Sequence, residues 1–153
     1  MTTDQYGVPH AMFGYIDPDF DFFGLIGRVT ALTALVELRL WHLTTALHQK
    51  PQEEFATRSA SDLVRLSRDA LATEDPASRA LGEAVLERVR AALDRRNAVV
   101  HSVYPSPTPN LVYGWRGWQP VAEIRTSERE LRGLITELVA LGGDLGDLMV
   151  RVW

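Results

Sequence analysis

Apolar positions recur at helical spacing through most of the chain. Leu25, Val29, Leu32, Val36, Leu43 and Leu47 hold one stripe, and Leu35, Leu38 and Trp41 widen it. The pattern predicts a first helix from about Asp21 to Lys50, stopped by Pro51. A helix this apolar belongs at the centre of a bundle or is shared between subunits. Ser59 or Ser61 can cap a shorter second helix that reaches about Leu71, with Leu63, Leu66 and Ala70 inward. Asp75-Pro76 places an N-cap acid before a proline at the first helical position, opening a third helix that extends to about Tyr104, before Pro105. Ser127-x-x-Glu130 is a capping box for the last helix, whose stripe is Leu131, Leu134, Leu138, Leu141, Leu145 and Leu148. Gly142, Gly143 and Gly146 either fray that helix or permit close approach of another.

Two segments break the helical period. Residues 1–20 scatter Gly7, Pro9, Gly14 and Pro18 without periodicity, so an irregular N-terminal arm is expected. Its aromatics Phe13, Tyr15 and Phe20, with Phe22 and Phe23 just beyond, predict that the arm packs onto something. Over residues 105–126, a stiff proline-rich loop from Pro105 to Asn110 leads into a hairpin pattern. Leu111 to Tyr113 and Val121 to Ile124 fit two short strands around Trp115-Arg116-Gly117-Trp118, with Pro120 placing the second at an edge. The expectation is one all-α domain over residues 1–153. It comprises about four main helices, with a small β-hairpin inserted before the last.

Composition narrows the function classes. The 153 residues suit a single domain with a real core. No cysteine is present, which excludes disulfides, thiolate zinc sites and a cysteine nucleophile. The first ten residues lack the basic start and apolar core of a signal peptide, and no apolar run approaches the roughly 18 residues of a membrane span. A cytoplasmic protein without membrane association is expected. The net charge of −4 argues against bulk nucleic-acid binding. Charge is uneven, however: Arg88, Arg90, Arg95 and Arg96 cluster just before His101, while Asp17, Asp19 and Asp21 lie near the start. A local basic patch on an acidic protein can engage a short stretch of RNA.

The candidate chemistry centres on Arg96. Its neighbours three, four and seven residues away are Val89, Ala92, Leu93, Val99, Val100 and Val103, all apolar. A guanidinium in such a stripe is expensive unless an anion or carboxylate meets it. Asn97 and His101, four apart, share a face with Arg90, Asp94 and Tyr104. Arg96 is rotated about 100° from Asn97 and reaches that face only with a bent side chain or across a subunit boundary. Arginine grips phosphate bidentately, asparagine orients a hydroxyl or phosphate oxygen, and histidine relays a proton. These are the parts needed to cleave RNA without a metal, using the 2′-hydroxyl as nucleophile.

Arg96-Asn97-Ala98-Val99-Val100-His101 resembles the R-N-x-x-x-H signature of the HEPN-domain ribonucleases. The resemblance implies an antiparallel helical bundle with the motif near the end of a late helix. It also implies a homodimer in which two motifs form one composite, metal-independent site with no cofactor. His101 would then transfer protons, Arg96 would stabilise the phosphate and Asn97 would be the accessory polar residue; Arg90, Arg95 and Tyr104 are candidate RNA contacts. Many members are toxins or anti-phage effectors that attack tRNA or other RNA, so an antitoxin or inhibitor protein is an expected partner. In one toxin branch a tyrosine two positions after the histidine is modified by a cognate nucleotidyltransferase. Val103 occupies that position here and Tyr104 follows it, so that regulation does not carry over.

Plainer readings compete at each position. Arg96 can be a structural ion pair with Glu37, His101 a C-terminal residue bonding a free carbonyl, and Tyr104 a packing residue. His42 and His48, six apart, face different ways and do not suggest a metal pair. Trp115 and Trp118 either pin a hairpin onto the bundle or stack on bases. The rival function is a non-catalytic nucleotide- or protein-binding module, or an antitoxin-like protein that masks a partner. Arg96 discriminates: it faces an open anionic cleft in an enzyme and is sealed against a carboxylate in a structural protein.

Overall fold

The helix starts are set by side chains that close the first turn. In the computed structural model, which describes residues 3, 6–7, 21–100, 111–114 and 124–153, four α-helices account for most of those residues. Helix α1 (Phe22–His48) begins where the Asp21 carboxylate accepts from the Gly24 amide at 3.1 Å. It ends at Gln49, whose left-handed backbone (φ 52°) turns the chain ahead of Pro51. A short 3-10 turn (Gln52–Phe55) follows. Helix α2 (Ala60–Leu71) is capped by Ser59, not Ser61: the Ser59 hydroxyl accepts from the Asp62 amide at 3.2 Å. Helix α3 (Pro76–Val100) opens with Asp75 accepting from the Ala77 and Ser78 amides at 2.9 and 3.1 Å. Helix α4 (Glu128–Val152) starts with the reciprocal Ser127–Glu130 capping box. No helix among the described residues is long and apolar enough to cross a membrane.

Strands β1 (Leu111–Gly114) and β2 (Ile124–Ser127) pair antiparallel, with Leu111 opposite Ser127 and Gly114 opposite Ile124. The second strand lies later than the Val121 to Ile124 pattern suggests. It runs into α4, so Ser127 ends the ladder and caps the helix at once. The expected irregular arm over 1–20, apart from residues 3, 6 and 7, lies outside the described residues, as do the loop over 105–110 and Trp115 and Trp118.

The core gathers one stripe from each helix. It takes Leu25, Val29, Val36, Leu40 and Leu43 from α1, Leu63, Val64 and Leu71 from α2, Leu86, Val89 and Leu93 from α3, and all six leucines of the α4 stripe. Two positions differ from the sequence pattern: Leu35 and Leu38, expected inward, are 55% and 46% exposed, while Leu40 is fully buried. Position 40 falls four residues after Val36 and three before Leu43, which places it on the buried stripe; 35 and 38 fall on the opposite face. In α2, Leu66 and Ala70 are half-buried, and Ser67 and Leu71 face the interior. The Ser67 hydroxyl meets Thr44 at 2.8 Å, which satisfies two buried polar groups together.

Residue pairings reveal the helix directions. Arg88 meets Glu137 and Asp144 while Arg95 meets Glu130, so α3 runs against α4. It also runs against α2, since Leu71 packs on Gly82 and Arg68 pairs with Glu87, with Val64 and Asn97 bordering one cleft. Helix α1 runs in the same general sense as α4: Arg39 lies against Gly142 and Gly146, and Gln49 lies beside Trp153. It also runs with α2, because Glu37 lies near Ala60 and Thr44 bonds Ser67. The return segment from residue 49 to 59 carries the chain back before α2 begins, which frees α1 and α2 from strict alternation. Where α1 crosses α4, the Arg39 guanidinium donates to the Gly142 carbonyl across a notch that Gly142 and Gly146 leave open.

Candidate functional site

The last two turns of α3 carry Arg96 and Asn97 of the motif, with α1 and α2 bordering Asn97 and α4 meeting the adjacent Arg95. Val89, Ala92, Leu93 and Val99, which flank Arg96 on its stripe, are all buried. Arg96 itself is half-buried and bends toward its neighbour: its Nη1 donates to Asn97 Oδ1 at 2.8 Å. Its Nε is buried and has no hydrogen-bond partner. Glu37 does not neutralise it. Among the described residues no carboxylate lies within ion-pair distance of Arg96. A guanidinium carries five N–H donors and no acceptor, so Asn97 satisfies a fraction of its capacity. The remainder suits an anion.

Asn97 also borders a cleft of about 200 Å³, shared with Glu37, Ser61, Val64, Arg90 and Asp94. Helix α2 supplies Ser61 and Val64, which no pattern in the sequence assigned to a site. Ser61 is the second residue of α2, and its nearness to Asn97 follows only from the antiparallel packing of α2 on α3.

The remaining arginines are occupied. Arg90 pairs with Glu87 at 2.5 Å and approaches Asp94 at 4.0 Å, which raises its pKa further and holds the Glu87 carboxyl below its ordinary range. Arg95 reaches Glu130 of α4 at 3.5 Å. Arg88 makes a fork across to α4, 2.8 Å from Glu137 and 2.6 Å from Asp144, and these hydrogen bonds raise its pKa. The Arg88 and Arg95 pairs clamp the C-terminal half of α3 onto α4, and Arg68–Glu87 ties it to α2, so the motif sits on a braced element. Of the arginine cluster visible in the sequence, Arg96 is the member with a buried donor, Nε, that meets no partner. His101 and Tyr104 lie outside the described residues, directly after the last described turn of α3. Among the described residues no group of three or more histidines and carboxylates converges to hold a metal ion.

No family model, curated protein or solved structure matches this chain.

Proposed function

We propose that this chain is a HEPN-type, metal-independent endoribonuclease of the cytoplasm, acting as a toxin or anti-phage defence effector. The bundle differs from the antiparallel one the resemblance implies, since α3 alone runs against its neighbours; on this reading it carries a β-hairpin insertion ahead of α4, and two copies bring their motifs together. The observation that carries the proposal is the half-buried Arg96 with an unpartnered Nε and, among the described residues, no carboxylate within ion-pair distance. Arg96 would bind the scissile phosphate, Asn97 would hold the guanidinium and orient an oxygen, and His101 would move the proton. The 2′-hydroxyl attacks the adjacent phosphorus, its proton passes to a base, and the 5′-oxygen leaves as it is protonated. The products are a 2′,3′-cyclic phosphate and a 5′-hydroxyl. Acceptor and donor are both required, and two histidines across a two-fold axis supply them.

The outward face of α1 supports a partner copy. Phe23, Leu35 and Leu38 are 53%, 55% and 46% exposed there, with Gly27, Ala31 and Ala34 exposed between them. At 100° per residue, Phe23, Gly27, Ala31, Ala34 and Leu38 share an uncharged arc of about 80°, and Leu35 lies at its edge beside Arg28 and Arg39. A long uncharged apolar face is characteristic of a covered surface. Leu38→Glu is expected to convert a dimer to a monomer in light scattering at micromolar concentration. A wild-type protein that is already monomeric there would remove the composite site from the proposal.

The direct test is RNA cleavage in EDTA, with tRNA and a structured mRNA as substrates. Wild-type protein should cleave and leave cyclic phosphate ends; His101→Ala should fold, dimerise and be inactive. Cleavage by the variant at the wild-type rate would exclude His101 from the chemistry.

One observation favours the second reading, a non-catalytic nucleotide- or protein-binding module. Arg90 and Arg95, the expected RNA contacts, are already paired with carboxylates, and Glu37 and Asp94 border the Asn97 cleft. RNA must displace or bypass those carboxylates, whereas a small ligand or a protein need not. Binding without cleavage by either protein would select this reading.

A further inference from the structure

A second cavity lies at the other end of the molecule. It occupies about 680 Å³ between the C-terminal turns of α1 and α4, lined by His42, Thr45, Gln49, Gln52, Met149 and Trp153. Arg95 meets Glu130 near the start of α4, and Met149 lies 19 residues further on. At 1.5 Å per residue this is about 28 Å along α4, so the cavity is separate from the Arg96 site.

Among the described residues, no carboxylate, lysine or arginine side chain lines this cavity. The nearby Lys50 is paired with Glu54 at 3.1 Å. Helix α1 also ends here, at Gln49, so its C-terminal carbonyls add partial negative charge. Both features disfavour a phosphate or carboxylate ligand. Among the described residues, neither a carboxylate side chain nor an aromatic cage lines it to hold a full cation. This lining suits an uncharged ligand that can donate hydrogen bonds.

The lining polar groups fit a flat one. Gln49 and Gln52 each offer an amide with paired donor and acceptor, the pattern with which glutamine reads the N6/N7 edge of adenine. The Thr45 hydroxyl donates to the Trp41 carbonyl at 2.9 Å, which leaves its lone pairs to accept from an amino group. The His42 ring is tilted against Trp41 with centroids 5.3 Å apart, and this contact holds its orientation. Met149 gives a polarisable floor. Trp153, 92% exposed, presents a free indole for stacking at the rim.

We infer that this cavity binds an amino-bearing nucleobase as an unphosphorylated nucleoside, stacked on Trp153 and read by the Gln49 and Gln52 amides. Isothermal titration of the full chain with adenosine, guanosine, cytidine and AMP tests this. At least one nucleoside should bind with a Kd below about 1 mM. Trp153→Ala and Gln52→Leu should each weaken that binding at least fivefold, and AMP should bind more weakly than adenosine. Gln52 and Trp153 are both exposed, so the variants should keep the wild-type melting temperature. Absence of binding by all three nucleosides at about 5 mM would overturn the inference. So would nucleoside affinities unchanged in both variants, or AMP binding more tightly than adenosine.

Discussion

Arg96→Met is expected to lower RNA cleavage by at least about a hundredfold while the melting temperature stays level or rises. The two halves of that result come from one fact. The Arg96 Nε is buried without a partner, in a stripe walled by Val89, Ala92, Leu93 and Val99. An unsatisfied buried donor destabilises a fold by about 1–3 kcal/mol, and methionine fills the same volume without a polar atom. The one bond lost, to Asn97 at 2.8 Å, is a side-chain contact between adjacent residues on a half-buried surface. A structural arginine would behave in the opposite way: removing it would strand a carboxylate and lower stability. Arg96→Lys sharpens the test, because it retains the charge and loses the fork that grips two phosphate oxygens. Cleavage in EDTA and thermal melts followed by circular dichroism read both effects on the same samples. A melting temperature several degrees lower for the methionine variant would show that the guanidinium holds the fold together.

Gly82→Val should destabilise the fold by overpacking the α2–α3 contact. A Cβ at position 82 would overlap Leu71 Cδ1 and lie 3.0 Å from Cδ2. Leu71 is fully buried and has no open space into which to turn. The two helices would have to separate or the leucine adopt a strained rotamer, at about 1–3 kcal/mol. For a domain of this size that is about 3–10 °C in melting temperature. The gain in helix propensity on replacing glycine offsets only a few tenths of a kcal/mol. Leu71→Ala in the same chain should restore part of the loss, because the two changes share one volume. Additive effects would place the strain elsewhere.

The local signals were readable because they act over three or four residues. Ser127-x-x-Glu130 closes a capping box in the structure, and Asp75-Pro76 opens α3, as their side-chain chemistry dictates. The six-leucine stripe of α4 is buried throughout, since one periodic face can meet only one core. Helix α1 was harder. It is apolar nearly all round, so periodicity could not choose between the face with Leu40 and the face with Leu35 and Leu38. That choice depended on where α2, α3 and α4 pack.

At the site the division is the same. Residue order along α3 set Arg96 among apolar neighbours and Asn97 beside it, so the need of the guanidinium for a counter-charge was legible in the chain. That Glu37 does not supply this charge, that Arg90 and Arg95 are spent on Glu87 and Glu130, and that Ser61 comes near Asn97 were not. Ion pairing and cavity formation depend on distances between residues far apart in sequence, and helix directions set those distances. The sequence could therefore nominate which side chain lacks a partner in its own helix, and packing decided which stayed without one.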